Sequence, residues 1–214
     1  GLAAVWAEEN TRESIFAAFK RREVYGTTGP RIAVRFFGGW DYDAQAADAA
    51  DIAAVGYAGG VPMGGDLTAA PNGEAPKFLI RATKDPKAGN LDRVQVIKGW
   101  LDANGETQEQ VYDVVWSDRR VIDADGHLPP VGNTVDLTTG AYENSIGAPE
   151  LSALWQDPDF DATQSAFYYV RVLQIPTPRH SLYDALALGI DPTETGHPAT
   201  LQERAYSSAI WYKP

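Results

Sequence analysis

Asp157-Pro158-Asp159-Phe160-Asp161 sets three carboxylates at alternate positions, the spacing with which a calcium loop begins. Hard cations want several oxygen ligands, and alternate aspartates in a loop can aim more than one at the same centre. The rest of an EF-hand is missing. Its sixth position wants glycine and holds Ala162; its twelfth wants a bidentate Glu and holds Tyr168. Asp157, Asp159 and Asp161 are therefore a candidate non-standard calcium site, against the simpler reading of an acidic turn ahead of a strand. Asp123-Ala124-Asp125-Gly126 is a weaker version, and turn geometry accounts for its Asp-Gly.

No other group of residues offers a recognisable catalytic pattern. His127, His180 and His197 are far apart, without a His-x-His pair or a His-Glu-x-x-His helix. Glu8 and Glu9 stand where a helix dipole favours carboxylates, which explains them without a reaction. No serine lies in a Gly-x-Ser-x-Gly elbow. The pairs Gly38-Gly39, Gly59-Gly60 and Gly64-Gly65 lack the lysine of a phosphate loop, and turns are their default role. Trp40, Trp100, Trp116, Trp155 and Trp211 could line a sugar-binding face, although aromatics on strands are more often core. Arg31 and Arg35 could approach an anionic substrate, but a solvated strand face is the plainer reading.

Composition narrows the partners. With 18 Lys and Arg against 29 Asp and Glu, the net charge is −11, a poor match for nucleic acid or an anionic membrane. Hydrophobic residues at 44% allow a core large enough to fold without staples. Cysteine is absent, so disulfides and thiolate–metal sites are excluded. No apolar run approaches the roughly 20 residues that span a bilayer. The chain opens on Gly1, so a processed or truncated start is expected, and bacterial periplasmic and cytoplasmic locations both stay open.

The elements that would position these residues begin with a joint from Glu8 to Phe37. Asn10, with Glu13 three residues on, reads as a capping box. Ile15, Phe16 and Phe19 share one face of the following helix. Gly26 and Gly29-Pro30 end it, and Ile32, Val34 and Phe36 alternate as a strand. A helix so built needs something to pack on. Asp43 to Ala58 reads as an inserted helix with Ile52 and Val55 inward. Lys77–Thr83 and Arg93–Trp100 read as strands. Asn104-Gly105 turns the second into a hairpin with Gln110–Trp116. A further hairpin is expected around Asp125-Gly126, a short strand over Thr134–Leu137, and a brief helix from Pro149 through Trp155. Ala166–Ile175 is the clearest strand. Ser181–Leu188 gives a helical turn or two in a long loop, and Tyr206–Tyr212 is a closing strand. Strands joined by hairpins rather than helices predict a mostly β protein, an antiparallel, immunoglobulin-like β-sandwich with an N-terminal helix and short inserted helices.

Several stretches carry a family resemblance. They are Gly1-Leu2-Ala3-Ala4-Val5-Trp6-Ala7-Glu8-Glu9-Asn10-Thr11-Arg12-Glu13, Arg21-Arg22-Glu23-Val24-Tyr25-Gly26-Thr27-Thr28-Gly29-Pro30-Arg31-Ile32 and Gly60-Val61-Pro62-Met63-Gly64-Gly65-Asp66-Leu67. Lys98-Gly99-Trp100-Leu101-Asp102-Ala103-Asn104-Gly105-Glu106, Phe167-Tyr168-Tyr169-Val170-Arg171-Val172-Leu173 and Ser208-Ala209-Ile210-Trp211-Tyr212 add to it. Together they resemble the C-terminal part of the family called domain of unknown function 3604, whose members look like relatives of PHP-type metal-dependent phosphoesterases. The resemblance implies a longer protein whose front part is a barrel holding divalent cations through His, Asp and Glu. Those motifs have no counterpart here, so no catalytic residue and no metal ligand carries over. In related PHP proteins a helix, an arginine-rich turn and Gly-Pro lead from barrel to sandwich, and Arg12 to Ile32 matches that layout.

The expectation is thus a helical remnant and joint over residues 1–29 and a sandwich over 30–214. Its implied role is a non-catalytic accessory domain bracing or walling an upstream metal-binding barrel, its partner in the same protein. The divalent metal would sit in that barrel, with no cofactor in this chain. The alternative is a carbohydrate- or calcium-binding module. A row of accessible Trp or Tyr on one sheet would favour sugar.

Overall fold

The computed structural model describes all 214 residues, Gly1 to Pro214. Strand at 38% against helix at 17% makes the protein mostly β, and its strands form two antiparallel-rich sheets in a sandwich. In chain order the elements are β1 (Leu2–Val5), α1 (Arg12–Lys20), β2 (Val24–Thr27), β3 (Ala33–Gly39), α2 (Ile52–Gly59), β4 (Gly60–Pro62) and β5 (Asp66–Thr68). There follow β6 (Lys77–Thr83), β7 (Leu91–Leu101), β8 (Thr107–Trp116), β9 (Glu150–Gln156), β10 (Ala166–Pro178), α3 (His180–Leu188), β11 (Thr200–Ser207) and β12 (Ile210–Lys213).

The smaller sheet runs β4-β3-β6-β9. The larger is built on β10. One edge of β10 takes β7 and then β8; the other is shared end to end by β11 and β12. β11 leads on to β2 and β1, while β12 pairs with β5 in parallel. At the break between β11 and β12 the Ser207 hydroxyl accepts the Val170 N–H at 2.9 Å, so the donor left by the gap is satisfied.

Between the sheets lies the main core. Val34 and Phe36 of β3 and Phe78, Ile80 and Ala82 of β6 meet Val94 and Val96 of β7 and Tyr168, Val170 and Val172 of β10. These are the alternate positions that pattern reading assigns inward. The smaller sheet is covered on its other face too. Phe37 and Leu79 pack there with Tyr42, Ala46 and Ile52 of the inserted helical segment. Gly56 allows the contact, since a Cβ there would stand 2.4 Å from the Phe37 ring. Arg81, on that outer face, donates to the carbonyls of Ala47 and Ala49 at 2.9 Å each and ties the segment down.

Several local expectations are corrected. Thr11, not Asn10, caps α1, its hydroxyl accepting the Ser14 N–H at 3.3 Å. The helix stops well before Gly26. Arg22 takes the left-handed conformation at φ 60°, and the Glu23 N–H returns to the Ala18 carbonyl at 3.1 Å. With a non-glycine residue in the left-handed position, the stop has no sequence mark. Residues 1–29 contribute α1 and also two strands, β1 and β2, the latter bonded to β11. Glu150–Gln156 is a strand, not a helix: Leu151, Ala153 and Trp155 face Ala82, Ile80 and Phe78 across β6. Edge pairing overrides the proline start signal. Thr134–Leu137 and the Asp125-Gly126 turn carry no strands. The closing strand is split at Ser208-Ala209.

Candidate functional site

Asp157 begins the loop after β9, and its side chain points into the core. Its Oδ2 lies 2.7 Å from the Lys98 ammonium and accepts the Tyr168 hydroxyl at 2.7 Å. Its Oδ1 accepts the Asp159 N–H at 2.9 Å. Lys98 reaches from β7 and also donates to the Asp159 carbonyl at 2.7 Å. Burial first, then the Asp157 charge, pushes the Tyr168 phenol well up. Asp159 turns outward and accepts from the Tyr112 hydroxyl at 2.8 Å. Asp161 accepts the Thr163 N–H and hydroxyl, which hold its carboxyl below the usual range. Each carboxylate of the calcium candidate thus has a protein donor, and at Asp157 the cation is a lysine. Nowhere in the chain do three or more His, Asp or Glu side chains gather as metal ligands.

A second constellation lies beside α1, in a cleft of about 420 Å³. The Arg35 guanidinium of β3 lies flat on the Trp6 indole, 3.4 Å from the ring centre, and Trp6 Nε1 donates to the Val34 carbonyl at 2.8 Å. Glu23 is buried beneath. It takes Arg21 at 3.3 Å, Arg35 at 3.9 Å and the Tyr57 hydroxyl. Burial, then the bond to Glu23, raises the Tyr57 phenol. Glu23 offsets the guanidinium charge, so the cleft is a polar junction rather than an open cradle for anions. Arg31 takes no part; its N–H donates to Asp85 at 2.7 Å. Next to this cleft the apolar face of α1 is bare, with Phe16 58% and Phe19 49% exposed.

The third place is on the outer face of the larger sheet. Of the five tryptophans in view as a sugar platform, Trp40, Trp100 and Trp155 pack against the main core, and Trp116 is half-buried with its Nε1 donating to the Arg120 carbonyl. Trp211 alone is well exposed, at 42%. It stands 5.1 Å from the Phe167 ring, over a groove of about 440 Å³.

The histidines stay apart: His127 is exposed in a loop, His180 opens α3 and His197 lies in the loop before β11. Sequence reasoning passed over Lys98, Glu23 and Phe167. A signal existed for Lys98, which follows Val94 and Val96 at core parity on β7 and so demands a buried acid. None existed for Glu23, whose burial depends on the α1 stop at Arg22.

The fold and its sites define a two-sheet β-sandwich with a bare N-terminal helix face and no gathered metal-ligand set. Among known families, the one described as protein of unknown function (DUF3604) matches residues 1–214, and the chain belongs to it. No curated protein and no solved structure matches the chain. No helix is long and apolar enough to cross a membrane.

Proposed function

We propose that this chain is a non-catalytic accessory domain of a longer PHP-like metal-dependent hydrolase, phosphoesterase-like in chemistry, and that it braces an upstream barrel. The supporting observation is α1. A nine-residue helix leaves Phe16 and Phe19 in water and buries Ala18 alone. Such a face gains most from an apolar partner. The adjoining Trp6–Arg35–Glu23 cleft supplies a polar rim of the kind found around interdomain contacts. In this reading the divalent metal belongs to the barrel, and the sandwich contributes rigidity and one wall.

The test compares this chain with a version extended by its preceding coding region. Hydrogen exchange of the α1 amides should slow in the longer protein, and metal-dependent hydrolysis of bis(p-nitrophenyl) phosphate should be confined to it. Equal α1 exchange in both, or turnover by the 214-residue chain alone, overturns the reading.

A further inference from the structure

Glu109, Gly99, Phe167 and Trp211 lie in one line across four neighbouring strands. Glu109 of β8 is the register partner of Gly99 on β7, Gly99 of Phe167 on β10, and Phe167 of Trp211 on β12. Three interstrand spacings make the line roughly 14 Å long. Gly99 is what lets it form. A Cβ there would stand 2.2 Å from the Phe167 ring, so the ring lies across the strand where a side chain would otherwise rise. The result is an open groove floored by Phe167, walled by Trp211 and rimmed by Thr107, Glu109 and Ser165.

We propose that this groove binds a neutral oligosaccharide. Beside the outward rings of Phe167 and Trp211, its lining carries the Glu109 carboxylate and the Thr107 and Ser165 hydroxyls. A sugar ring offers the complement: an apolar C–H face for the rings and hydroxyls for the polar rim. No Lys or Arg lines the groove, and Glu109 is its one charge, so an anionic ligand is disfavoured. Apolar walls with a few converging polar groups are the usual make-up of a small-molecule site, and the groove falls in the usual size range. The site lies on the larger sheet, shares no lining residue with the α1 face, and does not depend on the accessory-domain reading.

The 214-residue chain is titrated with cellohexaose, xylohexaose and mannohexaose, followed by calorimetry and tryptophan fluorescence. At least one should bind with a Kd in the range of about 10 μM to 10 mM. Trp211→Ala should weaken it about tenfold, and Glu109→Ala by a factor of about three to ten. Phe16→Ser should leave it unchanged, which separates this site from the α1 face. Glu109 is exposed, so its variant keeps the test valid where Trp211→Ala loses its fold by circular dichroism. Three results overturn the proposal: no binding of any probe, binding undiminished in folded variants of both groove residues, or a self-associated dimer in sedimentation that Glu109→Ala or Trp211→Ala dissolves.

Discussion

Lys98 and Asp157 meet inside the sandwich, with Nζ 2.7 Å from Oδ2 and both side chains closed off from water. The pair joins β7 of the larger sheet to the loop that leaves β9 of the smaller one. It is therefore a clamp between layers, and Tyr168 completes it from β10. Removing one charge strands the other. Lys98→Met or Asp157→Ala should each cost about 3–5 kcal/mol in urea unfolding, and the double variant Lys98→Met/Asp157→Leu clearly less than their sum.

The same clamp bears on calcium. Asp157 already has its cation, and Asp161 is held by Thr163. Millimolar calcium should leave the melting temperature unchanged. A rise that disappears in Asp159→Asn and Asp161→Asn would restore the loop as a metal site.

Stability should fall at both ends of the pH scale. Lys213 first, then Arg22, holds Asp66 below the ordinary carboxylate value of 3.8; the Arg31 and Lys87 N–H groups do the same for Asp85. A depressed folded value stabilises above 3.8, and that contribution is lost as pH falls through the folded value, so the acid limb should open below about pH 4. Tyr42, Tyr112 and Tyr168 are raised, each chiefly by burial. Their contribution is complete below the ordinary phenol value of 10.0 and fades as pH climbs beyond it. Circular dichroism against pH should show a plateau between these limbs.

Phe16→Ser and Phe19→Ser alter residues already in water. In this chain each should move stability by no more than about 0.5 kcal/mol. In the extended protein they should restore fast exchange to α1.

Arg35→Lys tests the cleft. Lysine keeps the charge but cannot lie flat on Trp6 as the guanidinium does. A loss of about 1 kcal/mol is expected, with a shift in Trp6 fluorescence.

The sheets were largely legible in sequence because their inner faces alternate cleanly: Val34 and Phe36, Phe78 and Ile80, Tyr168 and Val170. The Asn104-Gly105 hairpin was legible because its turn residues leave little choice. β1 and β2 were not, being short and stabilised by pairing with each other and with β11 rather than by pattern. β9 carried the alternation Leu151-Ala153-Trp155, but Pro149 ahead of it imitates a helix start. The groove was half legible. Trp211 stood out as an aromatic, whereas its alignment with Phe167, Gly99 and Glu109 depends on long-range register that no local window contains.

β12 comes last in the chain, yet it fills the free end of β10 and grips β5, from the first third, in parallel. During synthesis, then, the larger sheet stays unfinished until β12 has been made, and β5 waits without a neighbour. Assembly of this layer is set by distant closure rather than by hairpins forming in turn, which points to slow, all-or-none folding.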